Sequence, residues 1–494
     1  MAKQRQLDAN GKPKFGMIDK VAYAAGDFGC NMSFSLKNTI QTFWLVFMMM
    51  ETGLLAALLL VVQIWDAIND PLIGSLIDAD RRNYKMGKFK TYIFIGAIGL
   101  TVAGALCFIP VPNAGVVLKS ILFILGYVIW DACYTVANVP YGSMLSLVSE
   151  DPGERSQLST WRSVGSMVGN MVPMMILPML IWRKEVDANG DPVINPETGV
   201  QVETLLGERV FFAAIIMGVL GFIAFMFMIK KITIRVDEQS VKVNEGEKFN
   251  ILLAFRNFMK NRPAIGATLA AMAMFLGMNS AATATTIMFA TYFGMASLSG
   301  VVSVIGFLPM FIFMPFIKKI VGKWGKKEAS AVGSLVSVAG GLLMFVFPAI
   351  PNKTAALGLY MFALSVFGIG MGIYTCVSWA LMADAIDYNE WKTGKREEGT
   401  VYSLHSFFRK LAQGIGPSIV LLLMGALGYV EKLGTEGQSL QTASNMCWLV
   451  AGLYLFSALL QFVSLAFIYN VDKKTLAKMN EDLGRNKQDV AVSE

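Results

Sequence analysis

Apolar runs of 20 residues or more recur twelve times along the 494-residue chain, and each can cross about 30 Å of hydrocarbon as a helix. In lipid, every backbone polar group must be satisfied within the chain, so this recurrence predicts an all-α membrane protein. The runs lie near 19–49, 53–79, 91–111, 116–148, 156–182 and 209–231, then near 261–293, 299–320, 329–350, 354–386, 399–427 and 443–471. Two sets of six result. A content of 55 % hydrophobic and only 16 % charged residues agrees, being far from soluble globular usage.

The first run contains Asp27, Asn31 and Lys37 and lacks a small-residue cleavage site, so it is expected to be retained as a helix. Lys and Arg gather in the N-terminus, at 81–90, 230–262 and 318–327, and after Val471, while the alternate loops hold few. Both termini are therefore predicted to be cytoplasmic. The predicted division is an N-terminal six-helix bundle (1–231), a cytoplasmic crossover (232–260), a C-terminal six-helix bundle (261–471) and a cytoplasmic tail (472–494). The net charge of +7 is scattered over several loops and gives no nucleic-acid footprint. Five cysteines at unrelated spacings suggest neither a metal site nor a disulfide framework. With His405 the only histidine, a His-based metal site or a Ser-His-Asp triad is disfavoured. No nucleophile has a base partner, so neither an enzyme nor a cofactor is expected. The segment KEVDANGDPVINPETG, 184–199, carries turn signals for a short external hairpin.

A weak internal repeat joins the halves. YTVANVPYGSMLSLVSEDPGERSQLSTWR in the fourth and fifth runs parallels YTCVSWALMADAIDYNEWKTGKREEGTVYSLHSFFRK in the tenth and eleventh. Each passes from Tyr-Thr through an apolar stretch and a charged loop to a helix with an intramembrane arginine.

An ionisable group in hydrocarbon costs roughly 2.5–3.5 kcal/mol, so intramembrane polar clusters need a cavity, a partner or a function. In IWDAINDPLIG, 64–74, Asp66 and Asp70 stand one turn apart on one face with Asn69 beside them. Pro71 has no N–H and so frees the carbonyl of Ala67 as a further oxygen. Such a density of hard oxygens suits a small monovalent cation, Na+ if the ion is sodium, or a proton. The alternative is that both carboxylates pair with buried Lys or Arg. In the fourth run Asp131, Thr135, Asn138 and Gly142 share a face. Thr135 can offer its hydroxyl to a cation, and Asn138 a donor and an acceptor to a hydroxylated solute, or either can bond a neighbouring helix.

The first run aligns Asp27, Asn31, Phe34, Asn38 and Gln41 in one stripe with Lys37 at its edge. Arg162 follows Trp161 in the fifth run. In the eleventh, Arg409 and Lys410 follow His405 and Ser406 on two neighbouring faces, so one of these two cations is expected in the cavity. For Arg409, snorkelling or a salt bridge is as open as a ligand role. His405 is open between a polar-pocket role and a satisfied core histidine. The expected solute residues are Asn31, Lys37, Asn138, Arg162, His405, Ser406 and Lys410; the expected cation residues are Asp66, Asn69, Asp70 and Thr135. At the predicted cytoplasmic ends, Arg155, Asp384, Asp387, Glu390 and Arg396 are expected to form ion pairs between bundles that exchange between states, or are ordinary surface pairs.

Four motifs in order, YAAGDFG, WDAINDPLIG through MGKFK, YTVANVPY with ERSQLSTWR, and ADAIDYNEWK through VYSLHSFFRK, carry a resemblance over nearly the whole chain. The chain resembles the melibiose permease-like glycoside, pentoside and hexuronide to cation symporters of the major facilitator superfamily. The resemblance implies twelve transmembrane helices in two bundles, a monomer in the bacterial cytoplasmic membrane, and symport of a sugar with Na+, H+ or Li+. The family's paired cation-binding aspartates match Asp66 and Asp70, its assisting threonine Thr135, its span-eleven lysine Lys410 and its span-five arginine Arg162. Two carboxylates that grip sugar hydroxyls in the family fall at Asn31 and Asn138, the basic residue before the first falls at Cys30, and a sugar-stacking tryptophan falls at Gly142.

Loss of two acids, retention of Arg162 and Lys410, and the addition of Lys37 and Arg409 point toward an anionic sugar such as a uronide or sulfonated sugar. Asp27 and Asp131 are the groups that could neutralise those cations. The expected function is cation-coupled symport of a sugar or glycoside by alternating access. A carrier of a lipid-like or other organic solute is the alternative, and a non-transporting sensor a remote one.

Overall fold

A computed structural model describes residues 13–80, 82–149, 151–236, 251–394 and 398–484. Arg396, much of the expected crossover and the end of the tail lie outside the described residues, as do the side chains of Asn38 and Pro71. The first half holds α1 (Met17–Phe34), α2 (Leu36–Thr42), α3 (Thr52–Ala79), α4 (Lys88–Leu106), α5 (Val116–Val148), α6 (Pro152–Ile181), strands β1 (Trp182–Lys184) and β2 (Glu203–Leu205), and α7 (Gly207–Lys231). The second holds α8 (Ile251–Phe258), α9 (Arg262–Met274), α10 (Ala281–Met288), α11 (Ser299–Trp324), α12 (Lys326–Met344), α13 (Lys353–Thr393), α14 (Glu398–Ala426), α15 (Leu440–Val463) and α16 (Lys473–Asp482).

Among the described residues, eleven stretches are long and apolar enough to cross a membrane. The first predicted run is not one of them. It is helical in pieces, α1, α2 and a π-helical turn Phe43–Phe47, and its Asp19, Lys20, Asp27 and Lys37 dilute its apolarity. Local signals set several helix ends. The side chain of Asn352 accepts from the N–H groups of Thr354 and Ala355 at the start of α13, and Gly394, at φ 69°, ends it in the left-handed region. That 41-residue helix is about 60 Å long, twice the hydrocarbon thickness, so it projects well beyond the bilayer.

Within the first half α1 packs on α6 and α7, α4 on α5 and α7, and α3 on α5; within the second, α12 packs on α13 and α15, and α9 on the same pair. The halves meet along α3–α14 and α6–α11. Small residues permit this approach, as between helices in lipid. A Cβ on Gly414 of α14 would lie 2.8 Å from Gln63 Oε1 and 2.9 Å from its Cβ on α3.

On the side away from the termini the halves are stitched together. β1 and β2 form a hairpin, antiparallel from Trp182↔Leu205 to Lys184↔Glu203. From this hairpin Asn195 Nδ2 donates to the Glu436 carbonyl at 2.5 Å. Glu203, 1 % exposed, accepts from Ser297 N at 2.9 Å and Oγ at 2.7 Å. Thr283 Oγ1 donates to Gln41 Oε1 at 3.0 Å between the same ends. On the terminal side two ion pairs each lie within one half: buried Asp19 with Arg235 at 3.0 Å, and Asp384 with Lys326 at 2.7 Å. There the Asp80 carboxylate accepts from Tyr84 Oη at 2.5 Å and Tyr92 Oη at 2.6 Å, bonds that hold its pKa down to about 2.

Candidate cation and solute site

At the centre of the molecule α3, α5 and α14 converge on three carboxylates. Asn69 is fully buried on α3, and its Nδ2 donates to Asp131 Oδ2 at 3.1 Å and to Thr135 Oγ1 at 2.9 Å. The Thr135 hydroxyl in turn lies 2.8 Å from Asp70 Oδ1. The structure therefore brings Asp66, Asn69, Asp70 and Thr135 together, and adds Asp131. Asn69 Oδ1 is buried with no hydrogen-bond partner, an oxygen left free to receive a cation or a proton-bearing ligand.

Two lysines neutralise two of these acids. Lys37 Nζ lies 3.8 Å from Asp66 Oδ2, and Lys410 is in direct contact with Asp70 across the junction of the halves. Among the described residues no group of three or more His, Cys, Asp or Glu side chains is disposed to hold a metal ion.

A second polar cluster lies on α1 and α6. Arg162 Nε donates to Asp27 Oδ1 at 3.1 Å, and its guanidinium sits 5.1 Å from the Tyr141 ring centre. Asn31 Nδ2 donates to Asp27 Oδ2 at 3.1 Å, and its Oδ1 accepts from Asn170 Nδ2 at 2.6 Å. Asn138 Oδ1 receives the Cys30 thiol at 3.7 Å. Asp27 thus takes the charge of Arg162, one of the cations on which the anionic-sugar expectation was built.

Beside these clusters a cavity of about 400 Å³ lies between the halves, lined by Lys37, Gln41, Asn170, Asn279, Thr286 and Gln413 among others. Of the seven expected solute residues only Lys37 lines it. Asn170 and Gln413 were not anticipated from sequence, although both carry a signal: Asn170 lies two turns beyond Arg162 on one stripe of α6, and Gln413 one turn beyond Arg409 on α14. Asn279 enters through a π-helical turn, Phe275–Asn279, between α9 and α10.

His405 is 4 % exposed, hydrogen-bonds Thr268 Oγ1 through Nδ1 at 2.9 Å, and meets the Trp379 ring edge-on at 5.7 Å. It supports the wall rather than forming it. Ser406 is half-buried beside it.

The expected gate residues occupy the terminal side. Arg155 donates to the carbonyls of Ser149 at 2.7 Å and Ser146 at 3.5 Å, capping the end of α5 in its own half. Asp384 pairs with Lys326 on α12, also in its own half, and Asp387 and Glu390 follow half-buried along α13. These bonds of Arg155 and Asp384 therefore do not cross between the halves.

A family model described as MFS/sugar transport protein matches residues 22–473. A protein of Bacillus subtilis (strain 168) named uncharacterized symporter YjmB is 30 % identical over 484 residues, covering 95 % of this chain and 96 % of that one. The glucuronide carrier protein homolog of Escherichia coli (strain K12) is 26 % identical, over 92 % of this chain and 93 % of that one. The crystal structure of the nucleoside transporter NupG superposes with a TM-score of 0.60 at 14 % identity, over 92 % of this chain and all of that one, a likeness of fold.

Proposed function

The chain belongs to the MFS/sugar transport protein family, as a multi-pass protein of the bacterial cytoplasmic membrane and a sugar-type transporter rather than an enzyme, and from that premise we propose that it couples sugar uptake to Na+ or H+. The solute favoured is an anionic sugar, and the transport cycle is alternating access between two six-helix bundles, twelve membrane-crossing helices in all.

One observation carries the coupling. Asp70 is bonded to Lys410 across the α3–α14 junction, so the carboxylate proposed to receive the cation is also one end of a strut between the halves. A cation that occupies Asp70 displaces the lysine and releases that strut. The carboxylate keeps a positive partner throughout, which avoids an isolated intramembrane charge. Asp66 and Lys37 repeat the exchange within the first half. Because the strut and the cavity share α14, cation binding and solute binding change each other's affinity by the same factor.

The seal away from the termini supports reading the described arrangement as the end state that opens on the terminal side, inward-facing if the termini are cytoplasmic. In the opposite state Arg155, Asp384, Asp387, Glu390 and Arg396 are the groups available to bridge the terminal ends.

In proteoliposomes, Asp66→Asn and Asp70→Asn should each lower ion-gradient-driven sugar accumulation by about 5- to 150-fold, the span of typical coupling energies, while sugar exchange persists. Wild-type accumulation by both variants would remove the cation site from these residues.

A further inference from the structure

Four cations approach the central region from the first, fifth and eleventh predicted runs, and three are neutralised: Lys37 by Asp66, Arg162 by Asp27 and Lys410 by Asp70. Arg409 has no carboxylate among the described residues. Its Nε is buried without a hydrogen-bond partner. Its guanidinium lies 5.3 Å from the Trp379 ring centre and 5.7 Å from that of Phe275. Two aromatic faces ease the burial of a cation but accept none of its five N–H bonds in the plane of the fork.

The helix geometry directs that fork. Lys410 turns toward α3, where it meets Asp70, whereas Arg409 meets Phe275 and Trp379, and Gln413 and Pro417 follow it one and two turns on. Both of those line the cavity, as does Phe275 on the facing turn. Trp379 stacks on Tyr402 with ring centres 5.6 Å apart at 22°, and the two residues are 47 % and 50 % exposed. A cation whose Nε has no partner thus stands against Phe275 of the cavity wall, beside the open aromatic pair of Trp379 and Tyr402.

We propose that Arg409 is the specificity-determining residue that receives the carboxylate or sulfonate of an anionic sugar, with Trp379 and Phe275 flanking the guanidinium. This rests on the reading of the chain as a sugar symporter and deepens it. A planar carboxylate satisfies two N–H groups of the fork at once, a match that a hydroxymethyl group in the same place cannot make. Lys410 and Arg162, already paired, are left to the cation cycle and to the α1–α6 junction.

The test is uptake into proteoliposomes of two matched pairs, glucuronate with glucose and galacturonate with galactose, by wild type, Arg409→Gln and Arg409→Lys. Wild type should prefer the acid of at least one pair. Arg409→Gln should lower the acid-to-neutral ratio about tenfold or more, the loss of a charge-assisted contact, and Arg409→Lys should recover part of it. In purified protein, the acid should raise the unfolding midpoint of wild type and not of Arg409→Gln, a readout that does not depend on turnover. The assignment is overturned if wild type carries sugars without preferring the acid, or if Arg409→Gln lowers both members of a pair equally. Carriage of neither acids nor neutral sugars under any cation gradient would instead defeat the sugar-symport reading itself.

Discussion

Thr135 joins the two kinds of chemistry in the centre of the molecule. Its hydroxyl accepts from Asn69 at 2.9 Å and lies 2.8 Å from Asp70 Oδ1, so an amide fixed on α3 orients a hydroxyl on α5 against the carboxylate proposed to take the cation. Hydrogen bonding to the charged form of a carboxylate holds it ready for a cation. Thr135→Val keeps the shape and removes the hydroxyl, leaving Asn69 and Asp70 each short of a partner. The ion concentration for half-maximal sugar uptake should rise about tenfold, equivalent to ~1.4 kcal/mol, with little change in sugar affinity at saturating ion. Titrating uptake with Na+ and with H+ checks this, and an unchanged midpoint for both ions would exclude Thr135 from the site.

At this scale the sequence was informative where one helix carries the pattern. Asp66, Asn69 and Asp70 declare themselves because a turn of helix puts charge where lipid should be. The partners of those acids were not legible. Whether Lys410 or Arg409 faces the cavity depends on the rotation of α14 against α3, residues some 340 apart in the chain, and no local periodicity fixes that.

At the scale of elements, the departures from regular helix are where the cavity is built. The π-helical turn Phe275–Asn279 divides the seventh predicted run, and Ser280 Oγ closes on the Phe275 carbonyl at 2.7 Å. Such a turn shifts the helix face by part of a residue and brings Phe275, Asn279 and Ser280 to the same cavity wall. A wider turn leaves no mark in composition, which is why MFLGMNS reads as an ordinary span. The hairpin, by contrast, was legible from Asn-Gly and Pro turn signals, but its bonds to Glu436 and Ser297 on the other half were not.

The tightest junction on the sealed side is Gly300 of α11 against the Met174 carbonyl of α6, where a Cβ has no room. Gly300→Leu should wedge these helices apart and shift the population toward the state open away from the termini. Single-cysteine probes at Thr286 or Asn279 in the cavity should then label faster from that side, by about tenfold if the shift is near 1.4 kcal/mol. Unchanged labelling together with a normally folded protein would show that this contact does not hold the seal.

For the molecule as a whole, the two sets of apolar runs anticipated a helical membrane protein and the family resemblance the major facilitator fold, and its family membership and structural neighbours agree. The count is less direct: eleven described stretches qualify by length and apolarity, and the remaining run is the polar, broken one at α1 and α2. The same polarity that removes it from the apolar set supplies Asp27, Asn31, Lys37 and Gln41 to the centre, so the least membrane-like helix bears much of the polar surface. Function at this scale is a relation between halves, and it turns on whether an ion travels with the sugar. Sugar added to energised proteoliposomes containing the wild-type protein should draw Na+ or H+ inward at a fixed ratio to sugar. That flux should vanish in Asp70→Asn. Sugar accumulation with no accompanying movement of either ion would contradict cation coupling at Asp66 and Asp70.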